Sequence, residues 1–176
     1  MNFLFLGHTE QGVATAARLA AHAAVASGMK VRLYLPEPER PGNGRKAYLR
    51  LAKPKEELLE RGPISAPDVV LAFDAGMAKE LSKDLKERST LIVNSEEKFT
   101  NPVLAKKKVR IVSVDATGIA LSATGRPFPA APMAGALSKV FPKLSLKALR
   151  TAIEAEFYDR IAEHQSAAEQ GCKMAK

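Results

Sequence analysis

Apolar residues occur along this chain in short runs that alternate with stretches of helical periodicity. The runs have the length and the β-branched content of strands that are buried on both faces of a sheet. The predicted strands are residues 3–6, 30–35, 47–51, 68–73, 90–94 and 109–114. No comparable run follows residue 115, so the last third of the chain is predicted to lack strands.

In several of the intervals between these runs, apolar residues recur with helical spacing. Residues 11–27 are unusually rich in alanine, and Gly28 is expected to end this helix as its C-terminal cap. Further helices are predicted at residues 77–86, 133–140 and 145–165. Small side chains on the first helix would let it lie close to a sheet.

The predicted helix at residues 145–165 is long and amphipathic. Its apolar stripe consists of Leu146, Leu149, Ile153, Phe157 and Ile161. Ser145 is expected to cap its N-terminus, because a serine side chain can accept a hydrogen bond from a free backbone N–H group. Surface ion pairs are expected between Arg150 and Glu154 and between Glu156 and Arg160, from their spacing of four residues.

The alternation of strands with helices predicts an α/β fold. We expect a layered, largely parallel open sheet with helices on both faces, followed by a C-terminal helical segment. A chain of 176 residues is long enough for one substantial core. Residues 1–176 are therefore predicted to form a single domain.

Composition narrows the possible class of protein. The apolar fraction of 46% and the charged fraction of 26% are typical of a globular domain. No apolar stretch approaches the roughly 20 residues that cross a bilayer, and no secretory leader pattern is present, so we expect a cytoplasmic protein without a membrane partner. Cys172 is the only cysteine, which excludes an iron–sulfur cluster held by this chain alone. The three histidines show no ligand spacing, so no metal site is expected.

The net charge of +8 points to an acidic partner, either a nucleic acid, a phosphate-bearing ligand or an acidic protein surface. The densest basic run, residues 106–108, precedes a predicted strand without interleaved aromatic residues, and the chain has no tryptophan. A solvated face is the favoured interpretation of that run. A nucleic-acid-binding module would need a stacking platform that this sequence lacks.

Candidate chemistry lies after the strands, where open α/β sheets usually bind their ligands. Asp74 and Asp115 follow two of the strands and are interpreted as helix caps rather than catalytic carboxylates. The first strand runs into a turn between Gly7 and Gly12 that opens a helix, an arrangement that can seat an anion. Neither a phosphate loop nor a dinucleotide fingerprint matches, because Val13-Ala14 replaces Lys and Ser or Thr, and Thr9 replaces the central glycine.

A second loop, at residues 36–44, is rich in proline and glycine. Arg40 supplies fixed charge for a carboxylate or a phosphate, and Gly42 permits backbone conformations that expose N–H groups. A simple surface turn remains an equal alternative from these residues alone.

Several short motifs follow one another in an order that resembles the gamma subunit of the 2-oxoacid:acceptor oxidoreductases over roughly residues 2–165. They are Gly7-x-x-x-Gln11-Gly12-Val13 before an alanine-rich helix, Arg40-x-Gly42 after the second strand, a strand ending in Arg50, residues 67–74, residues 92–95, residues 114–120, and Gly135-Ala136-Leu137 before the Ser145 helix. The order and spacing carry the resemblance, since each motif alone is short.

The resemblance implies a non-catalytic subunit of a complex that converts a 2-oxoacid and coenzyme A to an acyl-CoA and carbon dioxide. Electrons pass to ferredoxin or another acceptor. Alpha, beta and delta-type partner subunits are implied, with thiamine diphosphate and Mg²⁺ between alpha and beta chains and 4Fe-4S clusters on beta or delta chains. The resemblance places coenzyme A or a subunit junction at Gly7, Thr9, Glu10, Gln11, Gly12, Arg40, Gly42 and Asn43, with no catalytic residue or metal ligand in this chain.

The chain departs from the family pattern at three places, one of which is residues 129–132, where an asparagine often found in the family is replaced. Thr9-Glu10 occupies the place of a usual Gly-Gly pair, and Pro41 interrupts a usual Arg-Gly-Gly loop. They suggest a less common branch, such as an enzyme for an aryl glyoxylate or another unusual 2-oxoacid. The alternative function is a free-standing α/β enzyme that binds a nucleotide or another small molecule.

Overall fold

The computed structural model of this protein describes residues 1–37 and 44–176. The strands are β1 (Asn2–Gly7), β2 (Lys30–Tyr34), β3 (Arg45–Ala52), β4 (Val69–Ala72), β5 (Thr90–Asn94) and β6 (Arg110–Val114). The helices are α1 (Val13–Ala26), α2 (Ala75–Leu81), α3 (Pro102–Lys106), α4 (Ala116–Thr124), α5 (Ala130–Val140), α6 (Leu146–Glu156) and α7 (Ile161–Met174), and a 3-10 turn spans Thr9–Gln11. The predicted α/β class is confirmed.

The strands form one six-stranded sheet in the order β2-β3-β1-β4-β5-β6. β1, β4, β5 and β6 pair in parallel, whereas β3 pairs antiparallel with both β1 and β2. The strand predicted at residues 47–51 is thus longer than expected and inserts between the first two strands. It closes a hairpin with β2, so the loop at residues 36–44 connects two neighbouring strands.

One face of the sheet carries most of the helices. α1, α4, α5, α6 and α7 pack there over Phe3, Phe5 and Leu49, in a core that includes many alanines. Gly28 follows α1 as predicted: its N–H group donates to Val25 O at 2.9 Å, and Met29 N donates to Ala24 O at 3.0 Å. These two bonds satisfy the last carbonyls of the helix.

The opposite face has a thinner cover. α2 and α3 pack there over Leu4, Val70 and Leu91. α2 is shorter than the predicted helix at residues 77–86, because it ends at Leu81 and a turn follows. Leu85 is expected on the inner side of that helix, but it lies in the segment after the turn and is buried there.

The predicted single helix at residues 145–165 is wrong: α6 and α7 are separate helices. Arg160 between them has φ of +50°. Its guanidinium donates to the backbone oxygen of Thr124, and the rings of Phe157 and His164 stack with centroids 3.8 Å apart. Tertiary contacts of this corner outweigh the continuous apolar stripe that favoured one helix. The cap at Ser145 is confirmed, with Ala148 N donating to its Oγ at 3.2 Å.

The ion pairs expected along that single helix are also wrong. Arg150 pairs across to Glu169 on α7, and Glu156 pairs with Arg18 on α1. Both ion pairs therefore join α6 to a neighbouring helix instead of linking successive turns of one helix.

Candidate functional site

The turn between β1 and α1 holds five of the predicted site residues, Gly7, Thr9, Glu10, Gln11 and Gly12. Gly12 has φ of +75°, and a Cβ atom there would lie 2.5 Å from Phe128 Cζ. A Cβ on Gly7 would lie 2.6 Å from Phe73 Cβ. Both glycines are therefore required, the first by backbone conformation and packing and the second by packing alone.

The side chain of Gln11 holds this turn against the next strand. Its Oε1 accepts from His8 N at 2.7 Å, and its Nε2 donates to Phe73 O, just beyond β4, at 3.0 Å. The amide is thus used on backbone groups at both ends. Gln11 positions the turn rather than offering a free group to a ligand.

Asn94 at the end of β5 likewise holds the ends of the neighbouring strands together through hydrogen bonds. Its Nδ2 donates to Phe73 O at 3.1 Å and to Thr117 Oγ1 at 2.8 Å. Its Oδ1 accepts from Ala116 N at 2.9 Å and from Thr117 N at 3.2 Å. Together, Gln11 and Asn94 lock the carboxyl ends of β1, β4, β5 and β6 into one rigid edge.

Three side chains of the turn face solvent. His8, Thr9 and Glu10 are exposed, whereas Gly12 and Val13 at the start of α1 are buried. Phe128 and Ala130 pack against Gly12. The first turn of α1 is consequently covered by protein and does not form an open phosphate cradle of the kind a helix N-terminus can provide.

Arg40, Gly42 and Asn43 lie outside the described residues. The described ends of their loop meet the sheet beside the turn, since Arg45 opens β3 opposite Gly7. A Cβ on Gly44 would come within 3.4 Å of Gly7 O. Arg45 also faces Glu37 across the loop, with 3.8 Å between a guanidinium nitrogen and a carboxylate oxygen.

Asp74 and Asp115 are helix caps, as predicted. Met77 N donates to Asp74 Oδ1 at 2.9 Å, and Gly118 N donates to Asp115 Oδ1 at 2.8 Å. Within residues 1–37 and 44–176, no group of three or more His, Cys, Asp or Glu side chains is arranged to hold a metal ion. None of the helices described is both long enough and apolar enough to cross a membrane.

Sequence reasoning missed two contributors to this edge. The Phe73 carbonyl receives hydrogen bonds from both Gln11 and Asn94, a role that belongs to the backbone and leaves no mark in the sequence. Phe128 packs on the turn from 116 residues further along the chain. The Pro127-Phe128-Pro129 segment is the signal that could have drawn attention to it, because prolines fix the backbone around an anchored ring.

The comparisons with known proteins agree with this architecture. The family described as pyruvate ferredoxin/flavodoxin oxidoreductase matches residues 2–174. The chain is 33% identical to the pyruvate synthase subunit PorC of Thermotoga maritima, over 86% of this chain and 79% of that one. It is 30% identical to the common gamma subunit of the pyruvate/ketoisovalerate oxidoreductases of Pyrococcus abyssi, over 93% and 90%.

A solved structure shares the fold along the whole chain. The crystal structure of the pyruvate oxidoreductase subunit PORC of Thermotoga maritima superposes with a TM-score of 0.84 and 28% identity, covering 100% of this chain and 97% of that one. The chain belongs to the pyruvate ferredoxin/flavodoxin oxidoreductase family. Within that family it is a gamma-type subunit of a 2-oxoacid oxidoreductase complex, which confirms the resemblance carried by its motifs.

Proposed function

We propose that this chain, as a single gamma-type domain over residues 1–176, completes a 2-oxoacid oxidoreductase complex and contributes one wall near the coenzyme A path. Its partners are alpha, beta and delta-type subunits. The complex oxidatively decarboxylates a 2-oxoacid to an acyl-CoA and passes electrons to ferredoxin or another acceptor. Localisation in the cytoplasm is part of the same proposal.

The observation that carries this proposal concerns the edge of the sheet at the carboxyl ends of β1, β4, β5 and β6, which we call the strand-end edge. Gln11 and Asn94 use their amides to stiffen the edge, while His8, Thr9 and Glu10 are exposed at it. Within the part of the chain that the structure describes, the side chains of Thr9 and Glu10 make no hydrogen bond or ion pair. A stiff edge that presents exposed polar side chains suits a surface completed by another subunit.

The cofactors are assigned to the partner chains. A 4Fe-4S cluster takes four cysteine thiolates, and this chain has only Cys172. Thiamine diphosphate and Mg²⁺ are proposed to lie between alpha and beta subunits. This chain is therefore given no catalytic residue, and its part is to support and cover a site built by others.

The test is isolation of the complex through an affinity tag on this chain, under anaerobic conditions. We expect alpha, beta and delta-type chains to co-purify, together with coenzyme A-dependent reduction of ferredoxin by a 2-oxoacid. The isolated chain should have neither this activity nor the visible absorbance of a cluster. Activity in the isolated chain, or tight binding of a nicotinamide nucleotide in a calorimetric titration, would instead support a free-standing enzyme.

A point substitution locates the contribution of the turn. Glu10→Arg reverses an exposed charge at the edge, and Glu87→Arg makes the same change before β5, at the opposite end of the sheet, as a matched control. We expect Glu10→Arg to weaken subunit association or to raise the KM for coenzyme A by about tenfold, the size of effect seen when a charged contact at an interface is reversed. Equal behaviour of the two variants would remove the turn from the proposal.

A further inference from the structure

A cavity of about 680 Å³ lies on the thinly covered face of the sheet, beside the hairpin of β2 and β3. Leu6, Tyr34 and Tyr48 contribute to its floor from three adjacent strands. Met77, Leu81 and neighbouring residues of α2 and its following turn form a wall. Its volume is that of a site for a small ligand or for a large side chain.

The floor is aromatic. Tyr34 and Tyr48 are paired across β2 and β3, and their rings stack with centroids 5.9 Å apart and planes inclined by 26°. Tyr48 lines the cavity although only 8% of it is exposed. In residues 1–37 and 44–176, its hydroxyl has no hydrogen-bond partner.

Burial gives the Tyr48 hydroxyl a defined protonation state. Desolvation raises its pKa above the ordinary value of 10.0, and the neighbouring Tyr34 raises it further. The phenol is therefore neutral at physiological pH and can accept a hydrogen bond. Because Tyr48 lines the cavity, a ligand there can donate to its hydroxyl in place of water.

The walls are acidic in a chain that is basic as a whole. Glu37 lies at the end of β2, and Glu80 and Asp84 lie on the α2 side, so carboxylates approach from two sides. Among the lining residues within 1–37 and 44–176, Lys46 is the one basic residue. Of the three carboxylates, Glu37 pairs with Arg45, whereas Glu80 and Asp84 form no ion pair with any described residue.

We propose that this cavity binds an organic cation, a guanidinium or ammonium group carried on an apolar stem. The rings of Tyr34 and Tyr48 line the cavity and attract a cation, and the carboxylates of Glu80 and Asp84 neutralise it. Leu6 and Met77 accept the stem. Phosphate-rich ligands are repelled by the same carboxylates, so this site differs in chemistry from the coenzyme A path and goes beyond the proposed function.

The three tyrosines of the chain make the test direct. Tyr34 and Tyr48 line the cavity, while Tyr158 is fully exposed elsewhere and serves as an internal reference. The full-length chain, labelled with ¹³C-tyrosine, is titrated with n-butylguanidinium and separately with its neutral counterpart n-butylurea, and the ring signals are followed by NMR. We expect n-butylguanidinium to shift Tyr34 and Tyr48 and to leave Tyr158 unchanged, with binding by n-butylurea at least about tenfold weaker.

Two variants assign the effect to the cavity. The Glu80→Gln/Asp84→Asn double variant should weaken n-butylguanidinium binding by about tenfold, because it removes two carboxylate charges that pair with no described residue while keeping side-chain size. The Glu96→Gln/Glu97→Gln double variant, which neutralises two exposed acids after β5, should bind as the parent does. Tyr48→Phe keeps the ring and should lose only the part of the affinity that the hydroxyl provides. Equal binding of n-butylurea, no shift at Tyr34 and Tyr48, or equal losses in the two acid variants would overturn the proposal.

The source of the cation is decided in the assembled complex. If the cation belongs to a partner subunit's side chain, n-butylguanidinium should no longer shift Tyr34 and Tyr48 there. If it is a free small molecule, the shifts should persist in the complex. The isolated-chain titration needs neither partners nor coenzyme A, so its failure would leave the proposed function standing, and failure of complex isolation would leave the cation site standing.

Discussion

The two faces of the sheet differ in how completely helices close them. On the face under α1, α5 and α7, the side chains of β1 and β3 are fully buried among alanines and interlocking helices. On the face under α2 and α3, helices cover the middle and the β6 side, and the β2–β3 side keeps an open cavity. The closed face therefore carries stability, and we propose that the thin face and the strand-end edge serve recognition.

The closed face depends on small residues at one helix crossing. A Cβ atom on Gly135 in α5 would overlap the backbone carbonyl of Ala168 in α7, and one on Gly171 would overlap that of Pro132. The helices consequently approach to backbone contact. Among the described residues, the thin face has no equivalent crossing, and its long loop at residues 53–68 is held by side-chain bonds to backbone carbonyls.

The largest loss of stability is expected from Gly135→Ala. The added methyl group must push α7 away, which we expect to cost about 3 kcal/mol or more of the free energy of unfolding, the upper range for overpacking a core. Lys173→Ala, on the exposed side of α7, is the control and should be close to neutral. Chemical denaturation measures both. Equal stability of the two variants would show that the crossing is not the tight point of the closed face.

The next effect tests the strand-end edge. Asn94→Ala removes four hydrogen bonds that join β4, β5 and α4. Leaving buried backbone groups without partners is expected to cost about 2 kcal/mol. Asn101→Ala, which removes only the cap of α3, should cost about 1 kcal/mol. A smaller loss for Asn94→Ala than for Asn101→Ala in the same unfolding experiment would contradict a locked edge.

A local effect is expected on the thin face. Arg50 is buried, and its two terminal nitrogens donate to Gly62 O at 2.7 Å and to Pro63 O at 2.9 Å. Arg50→Lys replaces a planar fork, which reaches two carbonyls from two nitrogens, by a single nitrogen on a shorter side chain, so we expect the loop at residues 53–68 to be held less tightly and to open. Hydrogen exchange should speed up in that loop and stay unchanged in α5 and α7, with Arg88→Lys as the exposed control. Faster exchange throughout the chain would mean that the faces are not independent.

The smallest effect concerns pH at the corner between α6 and α7. Burial lowers the pKa of His164 below its ordinary value of 6.5; Asp159 and Glu163 oppose this shift, and Arg126 and Arg160 add to it. Its contribution to stability is fully present above pH 6.5, because the unfolded chain takes up a proton that the folded chain excludes below it. Stability should fall as the pH drops from 6.5 towards the folded pKa. His164→Gln should flatten that part of the curve, and an unchanged slope would contradict the assignment.

Much of the sheet could be predicted from local pattern, because each parallel strand is a short apolar run buried on both faces. The pairing of β3 between β1 and β2 could not, since its register depends on contacts far apart in the sequence. The break between α6 and α7 at Arg160 could not be predicted either. The apolar pattern continues past this residue, and only contacts with residues distant in the sequence favour two helices over one.

The candidate site divides in the same way. Gly7 and Gly12 are visible in the sequence because glycines bracket the turn; Gly12 needs its positive φ, and neither position has room for a Cβ atom. The use of Gln11 and Asn94 is not, because both bind the Phe73 carbonyl from positions distant along the chain. The cavity is hidden for a similar reason, since only the hairpin register brings Tyr34 against Tyr48.

The most direct test of the strand-end edge as a subunit junction is hydrogen exchange of this chain, measured free and within the assembled complex. We predict that assembly protects the amides of residues 7–12, and that coenzyme A adds protection there. Protection confined to the opposite end of the sheet, around Met1, Ser27 and Pro54, with no change at residues 7–12, would contradict that assignment.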